Sequence, residues 1–254
     1  MANPGIVGLT GSSGFLGAAI AKGAPSETSI ITFGRSRADM KWNFADESPA
    51  DISGLSALIH CAWDTSSRNL ETAKLNVHGS KRLYSQARDA GIPFIFISSM
   101  SSRAQTKSTY GSSKYAVEAA LEGDSRSRIL RPGVIRDADG NVGLLTATLD
   151  KVAGLPVNVR VSPDPQVPLT SLDRVVQEVW QSLDSPLCSG PIEIVDEWIA
   201  LDALVGGRRN AGKRVSVPVP RALISAAVAT AGLMPSDELR NLADSWRGLQ
   251  DLSR

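Results

Sequence analysis

The amino-terminal segment GIVGLTGSSGFLG joins a short apolar run to three glycines, Gly11, Gly14 and Gly17, spaced three residues apart. A β-branched run that leads through glycines into the pattern FLGAAIAK indicates a strand, a tight turn and a helix. Gly11 permits the turn, Gly14 lets the main chain approach a pyrophosphate, and Gly17 lets the helix pack closely on the strand. The start of such a helix attracts phosphate through its free N–H groups. Because of this setting, the segment predicts a dinucleotide-binding unit rather than an ordinary glycine-rich turn.

Strand-like apolar runs alternate with helical patterns through the first half of the chain. The predicted strands span residues 5–10, 29–33, 40–44, 55–62, 92–99 and 127–132, and the predicted helices span 14–23, about 68–90 and 112–122. Strictly alternating strands and helices form parallel sheets that are covered by helices on both faces. The sequence therefore predicts an α/β fold, a doubly wound parallel sheet of the Rossmann type.

The regular alternation ends near residue 135, and a strand-like run at 191–196 follows later. We expect the dinucleotide-binding domain to consist of residues 1–135 and about 162–197. The remaining segments, about 136–161 and 198–254, are predicted to form a small, mostly helical substrate-binding part above the strand ends.

Composition excludes several classes of function. The net charge is +1 and basic residues are not clustered, so nucleic-acid binding is not expected. Only two histidines, His60 and His78, and two distant cysteines, Cys61 and Cys188, are present, which predicts neither a metal site nor a disulfide framework. The longest apolar run, 222–234, is too short to span a bilayer and is predicted to be a buried or subunit-contact helix. We expect a cytoplasmic protein without a membrane partner.

The end of the second predicted strand, FGRSR, bears on the choice of cofactor. Sheets of this type that prefer NAD carry an acidic residue there, which binds the ribose 2′-hydroxyl. Here Gly34 occupies that place and Arg35 and Arg37 follow. A guanidinium offers two hydrogen bonds to a 2′-phosphate. The pattern therefore predicts NADP(H) in preference to NAD(H). The alternative is that the two arginines simply belong to a solvated loop.

A second group of residues lies in the segment SSMSSRAQTKSTYGSSK. Tyr110 and Lys114 are four residues apart at the start of a predicted helix, so both side chains lie on one face. An ammonium group beside a phenol favours the phenolate, which makes the tyrosine a usable acid or base. Ser99, at the end of the fifth strand, is placed to hydrogen-bond the same substrate oxygen. Together with the glycine loop, the segment predicts hydride transfer coupled to proton transfer at a carbonyl or alcohol.

The chain resembles an extended short-chain dehydrogenase/reductase of the NAD-dependent epimerase/dehydratase family along nearly its full length. The matching segments, in order, are TGSSGFLG, LIHCAW in place of the usual L-A-A, LNVHGSKRLYSQA, FIFISSMSS, YGSSKYAVEAAL and ILRPGVI. The resemblance implies that Ser99 binds the substrate oxygen, that Tyr110 is the acid/base, and that Lys114 contacts the ribose and modulates the tyrosine. Asn76 matches the family asparagine, either in a catalytic role or as a buried amide with satisfied hydrogen bonds.

The resemblance also implies a cofactor-binding set and a homodimer formed through the helices of 68–90 and 112–122. The set comprises the glycine loop, the strand ends and the catalytic pair: Gly11, Ser13, Gly14, Phe15, Leu16, Arg35, Asn43, Cys61, Ala62, Trp63, Asn76, Ser98, Tyr110, Lys114, Pro132 and Val134. Trp63 could also stack on a substrate ring or cap the core.

Departures from the family narrow the expected chemistry. Met100 and Ser101 replace the Asp–Glu pair of sugar-nucleotide dehydratases, which disfavours dehydration. Tyr110 lies only eleven positions after Ser99, which predicts a reduced substrate lid. The leading prediction is NADPH-dependent reduction of a keto group on a sugar or nucleotide sugar, with Tyr110 as proton donor. An NAD-dependent epimerase and a non-catalytic dinucleotide-binding regulator are the alternatives.

Overall fold

The computed structural model describes residues 5–66, 69–143, 146–153, 158–184, 190–206, 216–224 and 237–252. Its strands, in chain order, are β1 (Ile6–Thr10), β2 (Ser29–Gly34), β3 (Met40–Lys41), β4 (Ala57–His60), β5 (Phe94–Ile97), β6 (Ser127–Pro132), β7 (Val134–Arg136), β8 (Asn158–Ser162), β9 (Gln166–Ser171), β10 (Ile192–Ile194), β11 (Glu197–Ala200) and β12 (Ser216–Pro220). The helices are α1 (Phe15–Lys22), α2 (Leu70–Asp89), α3 (Thr109–Leu121), α4 (Thr146–Ala153), α5 (Leu172–Asp184), α6 (Leu201–Gly206) and α7 (Asp237–Leu252).

Seven strands form one sheet in the order β10-β6-β5-β4-β1-β2-β3, and every neighbouring pair is parallel. The chain winds outward from β1 in one direction through β2 and β3, and in the other through β4, β5 and β6. The order reverses between β1 and β4, where a crevice opens at the carboxyl ends of the strands. The predicted doubly wound parallel sheet is confirmed.

Two apolar layers cover the faces of the sheet, which explains why every residue of β4 and β5 is buried. On one face, α1 and α5 pack around Ile20 and Val179, and the Trp180 indole N–H donates to the Ile20 carbonyl oxygen at 3.2 Å. On the other face, α2 and α3 contribute Leu83 and Val117 to a layer beneath the strands. Burial on both faces holds the strand ends, and therefore the crevice, in a fixed position.

The carboxyl-terminal segment contains the predicted helices and, in addition, several short strands. Strand β9 pairs in parallel with β7 and antiparallel with β11, and β12 pairs with β8. The strands β9, β11 and β12 are short, and each forms only because it pairs with a segment that is distant in the chain. Local periodicity in the sequence therefore does not reveal them. The helix α7 then packs against α3 and β9. The apolar segment 222–234 lies mostly outside the described residues, as does Cys188.

The helix that carries Tyr110 begins at Thr109, three residues earlier than predicted. The side chain of Ser108 caps it by accepting a hydrogen bond from the Gly111 N–H at 3.0 Å. Tyr110 therefore lies in the first turn of α3, at the carboxyl ends of the central strands. Within the described ranges, no helix is both long and apolar enough to cross a bilayer.

Candidate active site

The glycine loop has the geometry that a phosphate-binding turn requires. Gly11 has φ of +75°, and a Cβ there would lie 2.7 Å from the Ala62 nitrogen. The Gly14 N–H donates to the Gly11 carbonyl oxygen at 3.0 Å, and a Cβ on Gly17 would overlap that oxygen. Gly14 caps α1 without a side-chain hydrogen bond, and no acidic residue lies in the first turn. The helix terminus therefore presents N–H groups and positive potential to an anion.

A cleft of about 970 Å³ lies along the carboxyl ends of the strands. It brings together nearly all of the residues predicted from the sequence: Gly11, Ser13, Gly14, Phe15, Leu16, Arg35, Asn43, Cys61, Ala62, Trp63, Ser98, Ser99, Tyr110, Lys114, Pro132 and Val134. A volume of this size matches the upper range of small-molecule sites. The glycine loop and the Tyr110–Lys114 pair open into the same space.

Lys114 is a buried lysine, with 3% of its surface exposed. Its ammonium donates to the Ile97 carbonyl oxygen at 2.6 Å and lies 3.8 Å from the Trp63 ring centroid and 5.9 Å from the Tyr110 ring centroid. Burial lowers the pKa of Lys114 to about 7, while nearby Cys61 and Glu118 act in the opposite direction. The lysine can therefore change its charge near neutral pH, beside the tyrosine that it is expected to modulate.

The two predicted serines have different surroundings. The Ser99 hydroxyl lies 3.0 Å from the Ser101 hydroxyl and accepts a hydrogen bond from the Ser101 N–H at 3.2 Å. Ser98 donates to the buried carboxylate of Glu118, which is also paired with Arg131. Both serines line the cleft, but the Ser98 hydroxyl is engaged by the buried Glu118–Arg131 pair, whereas the Ser99 hydroxyl bonds only within its own loop.

Asn76 is the one predicted residue that does not line the main cleft. Its side-chain oxygen accepts from the Asp64 N–H at 2.9 Å, and its amide donates to the Asp64 carbonyl oxygen at 2.8 Å. Asn76 is 2% exposed. These contacts fix the chain that follows β4, and they correspond to the satisfied buried amide considered from the sequence.

The loop after β2 presents one of its two arginines to the cleft. Arg35 lines it with a side chain that is 77% exposed, and its guanidinium lies 3.8 Å from the Asp64 carboxylate. Arg37 adopts a left-handed conformation, with φ of +52°, and is not among the residues that line the cleft. Asn43 lines it as well, and its side-chain oxygen accepts from the Ala45 N–H at 2.9 Å.

Local sequence reasoning missed the contribution of the carboxyl-terminal helix. Asp244 on α7 is 3% exposed, lines the cleft, and accepts hydrogen bonds from the main-chain nitrogens of Thr109 at 2.6 Å and Tyr110 at 3.4 Å. The chain separation is more than 130 residues, so no local motif signals the contact. The amphipathic pattern of α7 predicts a helix but not the place where it docks.

His60 was also missed as a structural residue beneath the cleft. Its two ring nitrogens lie 2.8 Å from the hydroxyls of Thr10 and Ser80, and its ring stacks on Phe96. Burial lowers the pKa of His60 to about 3, with a smaller effect from Lys114. A neutral imidazole therefore ties β1, β4 and α2 together under the cleft floor.

The sequence matches no protein-family model and no curated protein sequence. Solved structures of similar fold include the terminal R domain of the myxalamid PKS-NRPS pathway, with a TM-score of 0.72 and 16% identity over 96% of this chain and 79% of that one. UDP-glucose 4-epimerase from Thermotoga maritima has a TM-score of 0.65 and 19% identity over 85% and 86% of the two chains. dTDP-4-dehydrorhamnose reductase from Bacillus anthracis, solved with NADP, has a TM-score of 0.64 and 18% identity over 87% and 86%. These likenesses confirm the fold that the resemblance to extended short-chain dehydrogenases/reductases implied.

Proposed function

We propose that this protein is an NADPH-dependent oxidoreductase of the extended short-chain dehydrogenase/reductase type that reduces a keto group on a sugar or nucleotide sugar. One observation carries the proposal. A glycine-bounded helix terminus suited to a pyrophosphate and a Tyr110–Lys114 pair open into a single cleft of about 970 Å³. A non-catalytic dinucleotide-binding protein has no need for an acid/base pair at the end of its binding cleft.

The residues of the cleft suit a nicotinamide dinucleotide. Gly11, Gly14 and the first turn of α1 would hold the pyrophosphate, and Ala62 and Pro132 would flank the nicotinamide half. When bound, the cofactor supplies or accepts the hydride. Nothing larger than hydrogen fits at Gly17 without displacing the loop, which is the close approach that such a site demands.

Tyr110 would donate the proton to the substrate oxygen, and Ser99 would hydrogen-bond the same oxygen. The Lys114 ammonium favours the phenolate that remains after proton transfer, because a nearby positive charge stabilises the anion. Since burial brings the pKa of Lys114 to about 7, the protein holds this lysine near the balance between its two charge states. This arrangement suits a reaction that moves a proton in either direction at neutral pH.

Arg35 supports the preference for NADPH. Its ion pair with Asp64 spans 3.8 Å at an exposed position, and such pairs contribute little to stability. The guanidinium can therefore leave this partner for a 2′-phosphate at small cost. Replacing Arg35 with alanine is expected to weaken NADPH binding about tenfold while NADH binding is retained. Arg37→Ala is the matched control, and an equal loss in both variants would contradict the assignment.

Activity is tested by following NADPH oxidation with a panel of keto sugars and nucleotide keto sugars. Tyr110→Phe removes the proton donor and is expected to lower kcat by at least about a hundredfold while NADPH binding persists. Tyr115→Phe is the matched control, because Tyr115 lies on the same helix but is exposed outside the cleft. Full turnover in Tyr110→Phe would refute the proposed mechanism.

An NAD-dependent epimerase is the second candidate, since the neighbours of similar fold include epimerases as well as reductases. Epimerisation by this route requires a cofactor that is reduced and reoxidised in place. Purified protein that carries a non-exchanging nicotinamide cofactor and interconverts nucleotide-sugar epimers without added NADPH would favour this candidate over the reductase.

We also propose a homodimer formed through α2 and α3. Leu70 and Leu75 on α2 and Tyr115 on α3 are exposed although they are large and apolar. A dimer that covers these helices would bury them. Light scattering is expected to give twice the mass of the chain, and Leu70→Glu, outside the cleft, is expected to return the monomer.

A further inference from the structure

Trp63 is an aromatic residue that contacts both members of the acid/base pair. It lies three residues after the end of β4, is half-buried, and lines the cleft. The Lys114 ammonium lies 3.8 Å from its ring centroid, and the Tyr110 ring meets it edge-on at 6.2 Å. The indole therefore lies beside both the lysine and the tyrosine on one side of the site.

The contact with Lys114 has the geometry of a cation–π interaction. An ammonium group has three donors, and one of them is directed to the Ile97 carbonyl oxygen. The faces of Trp63 and, at 4.7 Å, Phe96 supply negative potential to this buried cation, in addition to the nearby Glu118 and Cys61. The indole is the nearer ring and gives the stronger interaction of the two.

The position of Trp63 is fixed by hydrogen bonds to the neighbouring main chain and by contacts with two other aromatic rings. Asn76 bonds both the N–H and the carbonyl oxygen of the next residue, Asp64, and so holds the chain on which the indole is mounted. The ring also packs against Phe96 at 6.2 Å and Phe44 at 6.3 Å between centroids. A side chain held on several sides presents a constant surface to Lys114.

We infer that Trp63 is a positioning residue of the acid/base pair: its face holds the Lys114 ammonium in place, and its perpendicular ring contact holds the Tyr110 ring. The catalytic consequence rests on the function proposed above, whereas the contact with Lys114 does not. Removing the indole while keeping the site apolar leaves the lysine buried without its aromatic partner. The charged form of Lys114 then becomes less favourable, and its pKa falls.

The experiment is an NMR titration of the full chain with ¹³C-labelled lysine, in which the Lys114 signal is assigned by its loss in Lys114→Arg. Trp63→Leu removes the aromatic face, Trp63→Phe keeps a weaker one, and Trp198→Phe is the control outside the cleft. Other titratable groups near Lys114 are His60 on β4, Cys61 just after it, and Glu118 and Tyr110 on α3, and all of them remain unchanged.

We expect the pKa of Lys114 to fall by about one unit in Trp63→Leu and by less in Trp63→Phe, with no change in Trp198→Phe. If Trp63→Leu fails to fold, the direction of the shift in Trp63→Phe decides. An unchanged or raised pKa in these variants would overturn the inference. Because the titration needs no turnover, failure of the proposed reductase activity leaves its outcome intact. Where turnover is measured, the basic limb of the kcat–pH profile is expected to move by the same amount.

Discussion

Replacing Asp244 with alanine tests how α7 holds α3, the helix that carries the proposed acid/base pair. The carboxylate is 3% exposed and accepts hydrogen bonds from the main-chain nitrogens of Thr109 at 2.6 Å and Tyr110 at 3.4 Å. These donors belong to the first turn of α3, where no intrahelical acceptor is available. The substitution leaves them buried without this partner, at the residue that is proposed to donate the proton.

The expected loss follows from these distances. A hydrogen bond to a charged acceptor contributes about 1.5–3 kcal/mol, and the bond of 3.4 Å adds little. Asp244→Ala should therefore lower the free energy of unfolding by about 2–3 kcal/mol. Asp251 on the same helix accepts from the Thr106 hydroxyl and from the nitrogens of Lys107 and Ser108, but it is only half-buried, so water can replace part of these bonds. Asp251→Ala is thus expected to cost only about 1 kcal/mol.

Urea unfolding, followed by tryptophan fluorescence, measures both losses. Asp244→Asn keeps one acceptor oxygen and is expected to recover part of the stability. At saturating NADPH, kcat should fall in Asp244→Ala because Tyr110 is less firmly held. A loss below about 0.5 kcal/mol, or a loss no larger than that of Asp251→Ala, would refute the role assigned to this carboxylate.

Three further predictions follow from the site. Gly17→Ala should abolish NADPH binding in a fluorescence titration, because the added methyl group overlaps the Gly11 carbonyl oxygen; unchanged affinity would contradict the glycine-loop assignment. Since the pKa of Lys114 is lowered from 10.5 to about 7, the unfolded chain binds this proton more readily between those values, and its contribution to the free energy of unfolding rises with pH across that window. Lys114→Met should flatten that rise in urea unfolding measured at several pH values, and an unaltered slope would contradict the shift. Asn76→Ala should lower the free energy of unfolding by about 1–3 kcal/mol, because it leaves the main-chain N–H and carbonyl of Asp64 without this partner. A loss near zero would contradict the role of Asn76 in holding the chain after β4.

The sheet and most of the cleft were predictable because their signals are local. An apolar run followed by Gly11, Gly14 and Gly17 determines a strand, a turn and a helix from contiguous residues. Parallel strands end at one edge of a sheet, so Ser99 and Tyr110 could be placed together from topology alone. The resemblance to extended short-chain dehydrogenases/reductases added roles to these positions.

The remaining parts depend on contacts between distant residues. Whether Glu197–Ala200 forms a strand depends on its pairing with Gln166–Ser171, and neither segment carries a strong strand pattern. Asp244 reaches Thr109 from more than 130 residues away, so its role is a property of docking and not of any motif. The same holds for the contact of Trp63 with Lys114, which requires β4 and α3 to be placed side by side.

The central claim is that the cleft binds NADPH for exchangeable hydride transfer, and the most direct measurement is a fluorescence titration of the purified chain with NADPH and NADH. The account predicts saturable binding that is at least about tenfold tighter for NADPH, because Arg35 lines the site where a 2′-phosphate would lie. Tyr110→Phe should bind NADPH as the unmodified chain does. Preference for NADH, or tightly held cofactor that does not exchange, would contradict the reductase and favour an epimerase. Absence of binding to either nucleotide would contradict the function and leave the fold alone.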